Sequence, residues 1–157
     1  MHRYTTWNGP MPTTAAQQAV TTGTAIKTML QIATPSTRQI QLISWSFTLD
    51  DPPGADAVIE LIQTDVAATV TAHVAAGIQP LDPNAPASLC AGGTALTGYT
   101  ATAEGTITAT KLFDVQFVAP TNQYVKQFPL GREPRCIIGN AVRIRVGDAS
   151  AVASAWV

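Results

Sequence analysis

The sequence predicts an all-β fold, a two-sheet antiparallel sandwich preceded by an extended N-terminal arm. Three observations lead there. Short strand-like runs bounded by Gly, Pro, Asp and Asn recur along the chain, while long apolar stretches of helical period are scarce. Thr and Ala dominate, and small or β-branched residues suit a pleated surface. The chain has 157 residues, 46% hydrophobic and 12% charged, enough for one domain with its own core and too apolar for long disorder. Eight or nine strands with frequent turns fit a sandwich, of which a jelly roll is one form. The division expected is an arm over residues 1–22 and a sandwich over 23–157.

In the arm, Pro10 and Pro12 forbid a regular helix or a central strand. Tyr4, Trp7 and Met11 are groups a free solvated tail has little use for, so the arm is expected to be pinned on its own domain or on a neighbouring chain. A first strand is expected near 24–33, with Ile26, Thr28, Leu30 and Ile32 on one face. The next, 38–50, sets Ile43, Trp45, Phe47 and Leu49 against Ser44, Ser46 and Thr48. Ile40 and Leu42 fall on the opposite parity, which implies a bulge or a start buried on both faces. The run from Asp50 to Gly54 is a turn. Residues 57–64 are apolar on nearly both sides and read as a central strand. Residues 65–78 fit either a short helix capped by Asp65 or a strand through Val70, Ala72 and Val74. A loop rich in Pro, Gly and Ala spans 79–98, and the Thr-rich stretch 98–105 reads as an edge strand. Residues 106–119 carry the alternating set Phe113, Val115 and Phe117, and residues 122–129 form another strand. After the tight connection Leu130 to Pro134, three short strands close the chain. In the middle one Val142, Ile144 and Val146 point one way and Arg143 and Arg145 the other.

Nine basic residues against ten acidic leave a net charge of −1, without the basic footprint a nucleic-acid partner needs. No eighteen-residue apolar stretch calls for a membrane span. The first ten residues lack the apolar run of a signal peptide, so the chain is expected to be made and kept in the cytoplasm until assembled. Cys90 and Cys136 read as two buried reduced thiols, with a late disulfide as the alternative.

No catalytic residue, metal ligand or cofactor site emerges. A Ser-His-Asp mechanism needs a base beside its nucleophile, and His73 stands alone without a Gly-x-Ser-x-Gly elbow. Ala91 to Thr94 lacks the lysine and spacing of a P-loop. Asp50, Asp51 and Asp56 crowd one turn and Asp114 sits within a strand, which gives no facing pair for glycoside hydrolysis. Arg132, Arg135, Arg143 and Arg145 fall within fourteen residues, either as solvated strand arginines or as a patch for an acidic partner.

The segment Tyr124 to Glu133, with its Pro-Leu-Gly-Arg-Glu turn, precedes an Arg-Ile-Arg-Val strand and the closing run Ala151 to Val157. Together with Ala25 to Pro35 and Val58 to Ile62, these patches resemble small virion proteins of tailed bacteriophages. The resemblance implies a β-rich capsid decoration, or cement, protein. Such a protein would sit on the capsid surface of the virion, bind the major capsid protein lattice as a homotrimer, and stabilise the shell without catalysis. Tyr4, Trp7 and Met11 are then expected as arm anchors, because aromatic side chains dominate interfaces. Arg132, Arg143 and Arg145 are expected as secondary docking groups. The alternative is a tail- or fibre-associated virion protein that binds host-surface sugar through the 79–98 loop and the polar face near 94–110.

Overall fold

The computed structural model describes residues 2–10, 20–23, 25–49, 57–90, 97–119, 122–147 and, by backbone, 154–156. Among them are β1 (Tyr4–Thr6), β2 (Val20–Thr21), β3 (Lys27–Ala33), β4 (Ser44–Leu49), β5 (Ala57–Thr64) and β6 (Thr69–Ala72). The second half holds β7 (Ile78–Pro80), β8 (Gly98–Ala103), β9 (Thr110–Val118), β10 (Gln123–Gln127), β11 (Ala141–Gly147) and β12 (Ser154–Trp156). One 3₁₀ turn, Ala75–Gly77, is the sole helical element among the described residues. The fold is all-β, and every strand pair is antiparallel.

A six-stranded sheet runs β6-β8-β3-β11-β5-β9, and a four-stranded sheet runs β10-β4-β12-β2. Between them lies the core. Met29, Leu30, Ile59, Leu61, Val142, Ile144 and Val146 of the larger sheet meet Trp45, Phe47 and Leu49 of the smaller one. The alternation of β4 sends Trp45, Phe47 and Leu49 inward, as their period of two requires. A third, two-stranded sheet joins β1 to β7, an element the sequence did not announce.

Two bulges decide which side chains reach this core. Leu30 pairs with Ile144 and Thr28 with Arg145, so Met29 is the extra residue. The parity of β3 therefore reverses within the strand. Leu30 and Met29 enter the core, whereas Thr28 turns to the outer face, apart from the Leu30 and Ile32 set it was expected to join. In β9, Asp114 pairs with Leu61 and Leu112 with Ile62, leaving Phe113 extra. Beyond that point Asp114 and Val118 face the core, and Val115 and Phe117 face out. The expected apolar face of this strand is thus the outward one.

The expected edge strand at 98–105 is internal, because β8 lies between β6 and β3. The ambiguous 65–78 stretch resolves into β6 and the 3₁₀ turn. Residues 38–43 do not continue β4. They pair instead with 134–136, through Leu42 N–H to Pro134 O (3.0 Å), Cys136 N–H to Ile40 O (3.0 Å) and a bridge from Gln41 to Arg135.

Strand β11 is buried on both faces. Arg143, with 0% exposure, lies beneath the connections at 65–68 and 104–109. Its guanidinium donates to the carbonyls of Glu104 and Val66 and pairs with the Glu104 carboxylate at 3.0 Å. The other Glu104 oxygen accepts the amide N–H of Thr28 at 2.6 Å, a hydrogen bond no neighbouring strand supplies there. Gln31 seals the adjacent position by exchanging two hydrogen bonds with the backbone of Ala68. Removing one partner of a buried pair leaves the other uncompensated. Arg143→Ala is therefore expected to cost about 3–5 kcal/mol in urea unfolding. Arg143→Met combined with Glu104→Gln recovers most of that loss, since the glutamine oxygen still accepts the Thr28 amide.

Candidate functional site

Of Arg132, Arg143 and Arg145, expected as docking groups, Arg132 is exposed. Arg143 is consumed by the interior pair just described. Arg145 is largely covered and binds Glu60 at 2.5 Å. Arg143, at 0% exposure, is a correction to the expected docking set, and the reason is topological. β11 is the third strand in from the β9 edge, flanked by β3 and β5, so its polar face lies within a sheet whose outer side is partly roofed. Arg132 sits in the exposed turn after β10, where its N–H donates to Pro129 O at 2.9 Å.

The N-terminal residues that the structure describes fold along their own domain. β1 pairs with β7, Tyr4 OH donates to Pro86 O (2.9 Å), and Thr6 Oγ1 donates to Gly77 O (3.0 Å). Trp7 packs edge-on to His73, with ring centroids 6.2 Å apart, and His73 in turn tilts against Tyr99. The Nε2–H of His73 donates to the Trp7 carbonyl at 2.7 Å. A Cβ on Gly77 would lie 2.3 Å from His73 Nδ1, so glycine is needed for the ring to fit. Burial lowers the His73 pKa, and the Trp7 carbonyl opposes this only in part, so the ring stays neutral at pH 7. Tyr4 and Trp7 thus spend their contacts within the chain. Met11 lies outside the described residues, as do Asp50, Asp51, Asp56 and Ala91 to Thr94.

Asp114 forms the one polar cluster that crosses between the sheets among the described residues. Its Oδ2 accepts from Tyr124 OH (2.8 Å) and Trp45 Nε1–H (3.2 Å). Its Oδ1 accepts from Gln116 (3.0 Å) and faces Lys126 Nζ at 3.1 Å. Burial raises the Asp114 pKa, but the hydrogen bonds from Gln116, Tyr124 and Lys126 and the lysine charge outweigh it, and the net shift is downward. Tyr124 is pushed up to about 12 by burial and by the Asp114 hydrogen bond and charge. These bonds tie β9 to β4 and β10, so the cluster acts as a clamp between the three strands. Cys90 and Cys136 are both buried and free. Burial raises both thiols, Cys136 to about 12, so neither is a thiolate at pH 7. Among the described residues, no three of His, Cys, Asp and Glu come together as a metal site.

What the molecule displays is surface. On the outer face of the six-stranded sheet, the row Phe117–Val58–Gly147 lies beside the row Val115–Glu60–Arg145. Phe117 is 74% exposed, and Leu112 and Val115 are exposed beside it on the edge strand. The sequence signal for this face was present, as the Phe113, Val115, Phe117 alternation, but the bulge that decides which way the set points was not. Compared with family models, curated proteins and solved structures, the chain matches none.

Asp114→Asn removes the charge that Tyr124 and Lys126 face. Ultraviolet titration is expected to show the Tyr124 pKa falling back from about 12 toward the ordinary tyrosine range. Deleting residues 2–9 uncovers His73. Its pKa, followed by NMR, is expected to rise toward the ordinary histidine value of 6.5. The lowered pKa also sets the direction of the linkage. The contribution of the neutral ring to holding β1 is full above the unfolded-state value and is lost as pH falls through the folded-state value.

Proposed function

We propose that this chain is a capsid decoration protein of the tailed-bacteriophage type, a β-sandwich that binds the outside of the major capsid protein lattice, together with sister copies in a homotrimer, and reinforces the shell. The observation that carries this reading is the apolar row Leu112, Val115 and Phe117 exposed on edge strand β9. An edge strand presents unpaired backbone groups, and proteins that stay alone blunt such edges with charge. Here the outward positions past the bulge are Val115 and Phe117 instead. An apolar band of this kind gains stability when a neighbour covers it. A protein that acts by covering area needs many small contacts and no converging titratable groups.

The resemblance of the Pro-Leu-Gly-Arg-Glu turn and the Arg-Ile-Arg-Val strand supports the same class. Their structural roles, a hydrogen-bonded turn and a doubly buried strand, suit a rigid assembly unit. The grip falls to the sheet face in place of Tyr4 and Trp7, which are occupied within the chain.

The test uses emptied, expanded shells of the accompanying major capsid protein. Wild-type chain is expected to saturate them and raise their rupture temperature. Val115→Ser with Phe117→Asp, both at exposed positions, is expected to weaken binding by about tenfold or more, the scale of losing an interface hot spot. A variant that saturates shells like the wild type overturns the role of this face. Wild-type chain that ignores shells and localises to tails in whole particles replaces the decoration reading with the tail-associated one.

A further inference from the structure

A second surface, distinct from the β9 face, carries an inference of its own. Residues 34–43 and 128–140 are knitted into a platform at one end of the sandwich. Phe128 N–H donates to Ile43 O (2.9 Å) and Thr34 N–H to Asn140 O (2.8 Å), in addition to the bonds of Leu42 and Cys136 already given. The turn at its tip is rigidly built. Gly131 takes φ +83°, which a glycine adopts without strain. Glu133 Oε2 accepts both the Gly131 N–H (2.7 Å) and the Gln41 side-chain amide (2.9 Å).

That construction holds Leu130 outward at 96% exposure, with Ile137 and Ile138 exposed on the neighbouring turn. The same two segments expose Arg38, Arg132 and Arg135. The two segments contain three arginines against one glutamate, in a chain whose net charge is −1. Glu133 is half-buried and occupied by its two donors, so the charge presented outward is basic. The segments contain no lysine or aspartate. Arginine beside large apolar groups is the composition of interface hot spots, and a preorganised turn lowers the entropy lost on docking.

We infer that the Leu130–Ile137–Ile138 platform is a docking surface for a protein segment that offers a bulky apolar side chain flanked by carboxylates. The apolar group packs against Leu130 and the two isoleucines. The carboxylates take bidentate hydrogen bonds from Arg132 and Arg135. The charge complementarity selects an acidic partner over a second copy of this chain, because two such basic ends would repel.

The experiment selects a displayed library of random twelve-residue peptides against the full chain, then maps the winners by NMR. Enriched peptides are expected to hold two or more acidic residues beside a bulky apolar one, and to move amide signals within 38–43 and 129–138. The variant Leu130→Ser with Arg132→Ala changes only exposed side chains and keeps its fold by circular dichroism. Against it, affinity is expected to fall about tenfold or more, and added salt to weaken wild-type binding. Val115→Ser with Phe117→Asp leaves this binding intact, which separates the platform from the shell-binding face. The inference is overturned by an absence of enrichment, by peptides without acidic residues, or by shifts elsewhere. A wild-type oligomer in sedimentation that the Leu130→Ser, Arg132→Ala variant dissolves also overturns it, and assigns the platform to a second copy.

Discussion

A strand buried on both faces cannot leave a charge unanswered, and β11 carries Arg143 in its middle. The Arg143–Glu104 pair resolves that constraint, and much of the rest follows from it. To reach the guanidinium, the chain after β8 must cross the outer face of the six-stranded sheet and bring Glu104 with it. The same carboxylate caps the Thr28 amide where β8 diverges from β3. The 65–68 connection lies over the other side of the guanidinium, and its Val66 carbonyl accepts a hydrogen bond from Arg143. A buried ion pair of this kind adds little net stability, yet it is intolerant of losing one member. Its consequence is geometric, because one half of the outer sheet face is roofed and the half around Glu60, Val115 and Phe117 is left open.

The open half acquires its character from the bulge at Phe113. One extra residue reverses the parity of everything after it. Asp114 is thereby turned into the space between the sheets, where Trp45, Tyr124, Gln116 and Lys126 satisfy it, and Val115 and Phe117 are turned out. The clamp and the apolar band are two faces of the same irregularity. The aspartate stabilises the junction of β9 with β4 and β10, and the exposed side chains give that edge an incentive to be covered.

The N-terminal segment and the platform show how binding surfaces are divided in this molecule. Tyr4 and Trp7 resemble interface anchors by residue type, but β7, Pro86 and His73 already engage them. Leu130 and Arg132 occupy a short turn with no aromatic signal, and both are exposed. A side chain type predicts how strongly a residue can bind. Only its surroundings decide whether it is available.

The sequence by itself determined the class of the fold, because period-two alternation, β-branched content and turn residues act locally and agree with one another. It placed Trp45, Phe47 and Leu49 in the core, made 57–64 a central strand, and located the turn that holds Arg132. The tertiary structure alone decided the fate of Arg143, Arg145, Thr28, Val115 and Phe117. Two single-residue bulges flip whole strand halves, and in β9 the alternation of Phe113, Val115 and Phe117 runs on unbroken past the bulge. Neutralising Arg143 likewise depends on Glu104, thirty-nine positions away in the chain. No local pattern can announce a partner at that separation, since only the sheet order that places β8 beside β3 brings the two charges together.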